Sequence, residues 1–164
     1  MRKHFSNPSP HRSLMGIQIA VIGKEDCTEE EYRAARAAGS AIAGMPAVLC
    51  CGGRGGVMEA ASRGAREAGG TTVGILPDTG RGNPYLDVVI RTGMGYGRNA
   101  ILVLSADAVV AIGGGYGTLS EIAIALKIGK KVFGYRTWEI EGVAACSSPE
   151  EAVSRAVAAA GRSR

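Results

Sequence analysis

Four glycines fall within the nine residues Gly113-Gly114-Gly115-Tyr116-Gly117-Thr118-Leu119-Ser120-Glu121. The stretch follows an apolar run over 107–112 and precedes a helix-like run over 122–128. Glycines between a strand and a helix let the backbone turn sharply and approach a ligand with no Cβ in the way. The helix that follows presents free N–H groups and the positive end of its dipole. Such a turn suits a phosphate or another compact anion, here through Gly114, Gly115, Tyr116, Gly117 and Thr118. A second turn, Gly52-Gly53-Arg54-Gly55-Gly56, follows an apolar strand over 47–51 and opens another helix. In a parallel sheet both turns lie at the carboxyl edge and can face one crevice. Gly53, Gly55 and Gly56 therefore join the candidate phosphate site, and Arg54 adds a cationic fork.

Counting excludes the common nucleotide motifs. A P-loop needs Gly-x-x-x-x-Gly-Lys-Ser/Thr, whereas Gly129 is followed by Lys130 and Lys131 with no hydroxyl residue. The dinucleotide fingerprint needs its third glycine where Thr118 stands. The second strand also ends in Cys50-Cys51 rather than in an acid for the ribose hydroxyls.

The segment 113–121 resembles the Pro-Gly-Gly-x-Gly-Thr-x-x-Glu signature of the LONELY GUY (LOG) family, long labelled as lysine decarboxylases. Residues 52–58 are similar to that family's earlier glycine turn, and 68–77 to the strand after it. The similarity runs from about residue 17 to 138. It implies phosphoribohydrolase chemistry, cleaving a nucleoside 5′-monophosphate to free base and ribose 5-phosphate. The details Thr92-Gly93-Met94-Gly95-Tyr96-Gly97-Arg98-Asn99 and Ser105-Ala106-Asp107 are similar to a branch of short chains close to the molybdenum-cofactor carrier proteins. Three departures separate the chain from the LOG pattern: Gly113 replaces the signature proline, Ser120 replaces an acid, and Asn99 stands where a lysine would follow Arg98.

The resemblance assigns catalysis to Glu121 and to Arg98, which lies fifteen residues before Gly113. A carboxylate can stabilise the oxocarbenium-like sugar of glycosidic cleavage. Glu121 has a second reading, because Thr118-x-x-Glu121 also matches a capping box. The chain repeats that device at Thr28-x-x-Glu31 and Ser148-x-x-Glu151. Arg98 opens a helix, where a cation is unfavourable without an anion partner, though a solvated arginine stays open. Tyr116 is suited to stacking on a base or pterin ring, and Met94 and Asn99 are further pocket candidates. A PLP decarboxylase needs a buried lysine, and the five lysines, Lys3, Lys24, Lys127, Lys130 and Lys131, lie in the tail, turns or a helix surface.

The elements that must position these residues alternate along the chain. Strands are predicted over 17–22, 47–51, 72–76, 87–90, 107–112 and 131–135, and helices over 29–43, 56–68, 98–104, 119–128 and 149–160. Continuous apolar strands between helices specify an α/β, Rossmann-like three-layer sandwich with a mainly parallel, doubly wound sheet. Residues 17–164 are long enough for one such domain. Residues 1–16, polar, basic and proline-containing, read as a disordered extension, with Met15 an alternative start. The helix over 119–128 is apolar on nearly every side, which calls for burial all round and hence for a homo-oligomer, a dimer or tetramer as in the resembled families.

Composition narrows the partners. The net charge of +4 owes much to the chain ends, and one Trp and two Phe leave little aromatic interleaving; nucleic acid is not expected. No stretch is long and apolar enough to span a bilayer. His4 and His11 are the only histidines and lie in the tail, so no metal site is expected. Cys27, Cys50, Cys51 and Cys146 lack metal or redox spacing, and a reducing cytoplasm fits them. No cofactor is required. The ligand is expected to be a nucleoside monophosphate or a phosphorylated pterin, and the task hydrolysis, carriage or sensing.

Overall fold

The computed structural model describes residues 16–162, so the expected extension over 1–16, with Met15, lies outside the described residues except for Gly16. Seven strands pair in the order β4-β3-β2-β1-β5-β6-β7, and every pairing is parallel. In chain order the elements are β1 (Ile17–Ile22), α1 (Glu29–Ala43), β2 (Ala47–Cys51), α2 (Val57–Glu67), β3 (Thr72–Leu76) and β4 (Val88–Arg91). A short 3-10 turn (Gly95–Gly97), α3 (Arg98–Ser105), β5 (Ala108–Ile112), α4 (Tyr116–Lys127), β6 (Val132–Tyr135), β7 (Val143–Ala145) and α5 (Pro149–Arg162) follow. The chain winds outward from β1 to β4, then returns to start β5 on the other side of β1. That reversal leaves a crevice between the β1 and β5 carboxyl ends, where open α/β sheets hold ligands.

Each strand is apolar on both faces because each face carries a helical layer. On one side Ile19, Val21, Leu49, Cys51, Val110 and Ile112 pack under α1, α2 and α5. Those helices are rich in alanine and come close. A Cβ on Gly39 would collide with the Ala61 carbonyl, and one on Gly64 with the Arg36 carbonyl. On the other side Ala20, Ile22, Cys50, Ile75, Val109 and Val132 meet only α3 and α4, through Leu102, Val103, Ile122 and Ala125. This thinner layer leaves Val88, Ile90, Leu104 and Ile128 exposed. Cys50 and Cys51 point to opposite faces and behave as small core side chains.

Two boundaries differ from the sequence reading in ways that matter. β7 was not anticipated, since Val-Ala-Ala is too short to carry a pattern; it forms because β6 offers an open edge. α4 begins at Tyr116 with Gly115 as its N-cap, three residues before the expected start, and no side chain caps it. The cause is local: Gly113 (φ 54°) and Gly114 (φ 135°) complete the turn early, in conformations that a side chain disfavours. Thr118 therefore sits inside the first turn, and the capping-box reading of Thr118 and Glu121 falls. The device is real at α1, where Thr28 Oγ1 accepts from Glu31 N and Glu31 accepts from Thr28 N. At α5 Ser148 Oγ accepts from Glu151 N at 3.1 Å, but the Glu151 carboxylate turns to Ser147.

Candidate functional site: a crevice at the sheet reversal

A cavity of about 610 Å³ opens at the carboxyl edge between β1 and β5, within the ~300–1,000 Å³ of small-molecule sites. Gly115, Tyr116, Gly117, Thr118 and Glu121 form one wall, and Arg98 and Asn99 of α3 another. Arg54 and Met58 reach in from the second glycine turn and the start of α2. Of the sequence-predicted residues, these eight line the cavity: Arg54, Arg98, Asn99, Gly115, Tyr116, Gly117, Thr118 and Glu121. Gly53, Gly55, Gly56, Gly114 and Met94 are not among its lining residues.

The non-lining glycines shape the turns instead. Gly53 (φ 77°) and Gly56 (φ 62°) take left-handed conformations, and a Cβ on Gly56 would collide with the Glu25 carbonyl. A Cβ on Gly114 would press against Thr118. Asn83 clamps the first turn: its backbone N–H donates to Gly53 O at 2.8 Å and its Nδ2 to Arg54 O at 3.1 Å. Gly113 explains its departure from the LOG pattern. Its φ of 54° is closed to proline, and a Cβ there would strike the Glu31 carboxylate. Glu31 in turn holds Lys24 Nζ at 3.5 Å. The other two departures connect α3 to α4: Asn99 Nδ2 donates to Ser120 Oγ at 3.0 Å, and Ser120 Oγ donates to Gly117 O at 2.7 Å.

Two polar atoms in this cavity wall are buried without a hydrogen-bond partner, Thr118 Oγ1 and Arg98 Nε. Thr118 is only 2% exposed, at the N-terminal turn of a twelve-residue helix. A buried polar group left unpaired costs about 1–3 kcal/mol, so a ligand that pairs with it recovers that cost. Arg98, 8% exposed, spends its Nη1 on Gly52 O at 2.5 Å and Ile75 O at 3.0 Å. These bonds join the ends of β2 and β3. A Cβ on Gly52 would occupy the place of Nη1. Burial holds the Arg98 pKa below its ordinary value, offset in part by the nearby Glu121 charge.

Glu121 is the electrostatic anomaly of the site. It is 8% exposed, and burial pushes its pKa from 4.5 up to about 8, against a downward pull from Arg98. Burial thus favours the protonated, uncharged carboxyl over the carboxylate. Asp78 and Glu25 line the same cavity, and Asp78 adds to the charges that favour the Arg98 cation. Lys24 and Arg54 already hold carboxylate partners, Glu31 and Glu25 respectively.

Sequence reasoning missed Lys24, Glu25, Asp78 and Tyr96, all of which line the cavity. Gly23-Lys24-Glu25 had a usable signal, since the loop after a central first strand faces the point of reversal in such sheets. Asp78 and Tyr96 had none, for only the β3–β4 pairing brings their loops to the same edge.

The same chain architecture occurs in known proteins. A protein of Archaeoglobus fulgidus is 50% identical over 140 residues, covering 84% of this chain and 93% of its own. The molybdenum cofactor binding protein from Rippkaea orientalis superposes with a TM-score of 0.80 at 40% identity, covering 85% of this chain and 94% of its own. The molybdenum cofactor carrier protein of Chlamydomonas reinhardtii gives 0.80 at 35% identity, covering 88% and 99%. The family model described as the SLOG cluster4 family matches residues 16–160, and the chain belongs to that family.

Proposed function

We propose that the protein binds and carries a phosphorylated pterin of the molybdenum-cofactor type without transforming it. The observation that carries this reading is the unpartnered Thr118 hydroxyl at the α4 N-terminus. There a phosphate would accept from Thr118 Oγ1 and from the first N–H groups of α4, as anions do at helix N-termini. Arg98 Nε supplies a charged donor in the same cavity, and charge-assisted bonds of this kind are the strong ones. The pterin is cargo, so no resident cofactor is needed. The named carriers among the structural neighbours support the same class of ligand.

Hydrolysis of a nucleoside 5′-monophosphate in the LOG manner is the second reading, and one observation favours it: Glu121 and Arg98 line a single cavity. The burial of Glu121 weighs against it. Stabilising a cationic sugar calls for an ionised carboxylate, and the burial that raises the Glu121 pKa disfavours that form. Calorimetric titration with D-neopterin 3′-phosphate decides, beside incubation with AMP assayed for adenine and ribose 5-phosphate. Binding without base release is the expected result. Adenine in the AMP arm would replace carriage by hydrolysis.

Thr118→Val separates binding from stability. The variant keeps the shape but removes the orphaned hydroxyl, so its unfolding free energy from urea titration is expected to equal or exceed that of the wild type, by up to about 1 kcal/mol. Its affinity for D-neopterin 3′-phosphate is expected to fall about tenfold, the size of one lost charge-assisted bond. Unchanged affinity would remove Thr118 from the site.

The thin layer of α3 and α4 supports self-association. Leu104 on α3, Ile128 just past the end of α4, and Val88 and Ile90 on β4 are exposed on the side of the sheet that these two helices cover. A second copy is the occupant expected there, because α4 is apolar also on its outer side, at the exposed Ala123. Light scattering on the wild type should give a multiple of the chain mass, and Leu104→Glu with Ile128→Glu should give the monomer. A monomeric wild type would remove this interface.

A further inference from the structure

We propose that Tyr96 and Tyr116 are the specificity residues of the cavity, gripping a planar conjugated heterocycle by stacking. The proposal rests on the phosphate-site reading above and names the part of the ligand that this site selects. Both tyrosines line the cavity, yet Tyr96 is 94% and Tyr116 85% exposed. Aromatic rings left this open at the rim of a concave site offer apolar area, at a low cost in side-chain freedom, to a ligand that enters.

The two are built differently. Tyr116 is anchored: its ring lies 6.2 Å from Trp138, at an interplanar angle of 29°. Trp138 is itself tied by a hydrogen bond from Nε1 to Gly115 O at 3.2 Å. That bond reaches the N-cap of α4, so the stacking wall and the phosphate-binding turn are one rigid unit. A ligand phosphate at Thr118 would place an attached ring within reach of Tyr116, two residues earlier in the same turn. Tyr96 stands on the opposite element, the 3-10 turn directly before Arg98. Its flanks are Gly95, with a φ of 57°, and Gly97, whose Cβ would meet only ordinary contact from Met94. Gly95 N–H donates to Pro77 O at 2.9 Å and fixes the base of the turn, leaving the ring to settle on what Tyr116 already holds. One fixed wall and one arm are the elements of an aromatic clamp, and its selectivity is for a flat ring rather than for any hydrogen-bond pattern.

The chain's one tryptophan makes the clamp observable, because a ring stacked on Tyr116 changes the surroundings of Trp138. The wild type, Tyr96→Ala, Tyr116→Leu and the two Phe variants would be titrated with three compounds, by calorimetry and by Trp138 fluorescence. D-neopterin 3′-phosphate and AMP carry a planar ring, one pterin and one purine; ribose 5-phosphate carries the phosphate alone. The expected result is a loss of about tenfold in affinity for a ring-bearing compound in Tyr96→Ala and in Tyr116→Leu, the size of one aromatic stack. Ribose 5-phosphate should bind all five proteins alike, and Tyr96→Phe and Tyr116→Phe should keep wild-type affinity. The compound with the larger loss identifies the ring. Equal losses for ribose 5-phosphate and the ring compounds, or no loss at all, would overturn the clamp and leave the phosphate site standing. A wild type that binds none of the three overturns both. Tyr96 is exposed and Phe at 116 keeps the ring on Trp138, so unchanged urea midpoints are expected in both Tyr96 variants and in Tyr116→Phe.

Discussion

Glu121→Gln should stabilise the protein at pH 9 by about 4–5 kcal/mol and leave it nearly unchanged at pH 4. The sign follows from proton uptake. The folded carboxyl has a pKa of about 8 and the unfolded one about 4.5. Between these values the folded state holds a proton that the unfolded state has released, so stability falls as pH rises through that window. At about 1.4 kcal/mol for each pH unit, the full loss above pH 8 reaches roughly 4–5 kcal/mol. Glutamine cannot ionise, so the variant loses this slope while keeping the size and polarity of the protonated acid. Urea midpoints at pH 4, 6, 8 and 9 measure the difference. Parallel curves for both proteins would mean that Glu121 is already ionised at neutral pH. The same proton bears on function. An ionised Glu121 repels an anionic ligand, so the wild type should bind D-neopterin 3′-phosphate more weakly above pH 8, and Glu121→Gln should not.

Arg98→Met should cost both affinity and stability. Methionine matches much of the arginine stem but donates nothing, leaving Gly52 O and Ile75 O without the bonds that Nη1 makes now. Two buried carbonyls losing their charged partner amount to about 2–4 kcal/mol. Affinity for D-neopterin 3′-phosphate should fall at least about a hundredfold, since the variant removes a cationic donor from a site of low exposure. Arg98 also pulls the Glu121 pKa down, so its loss should move the stability window of Glu121 to higher pH. Arg98→Lys separates the contributions: it restores charge but not the fork geometry, and should recover stability poorly. Full affinity in Arg98→Met would exclude Arg98 from ligand contact.

Much of this architecture could be read along the chain. The strands at 17–22, 47–51 and 72–76 and the helix at 29–43 match the observed elements residue for residue, because each is bounded by local signals: an apolar run, a glycine, a capping threonine. The two glycine turns were legible for the same reason, and both lie at the carboxyl edge. The lining role of Gly115, Gly117 and Thr118 could be anticipated, and so could the presence of Arg98. The start of α4 could not. Thr118-x-x-Glu121 has the spacing of a cap, and only the left-handed conformations of Gly113 and Gly114 decide that the helix begins earlier.

By itself, then, the amino-acid sequence determined the parallel α/β layering, the glycine turns and the candidacy of Arg98, Thr118 and Glu121, since periodicity, chirality and turn chemistry act over a few residues. Tertiary structure alone decided the rest. It brought Asp78 and Tyr96 to one cavity from two separate loops, and it buried the Thr118 hydroxyl without a partner. It also raised the Glu121 pKa by withdrawing water from it. These properties depend on what surrounds an atom in space, and burial and unmet hydrogen bonds come from neighbours dozens of residues away.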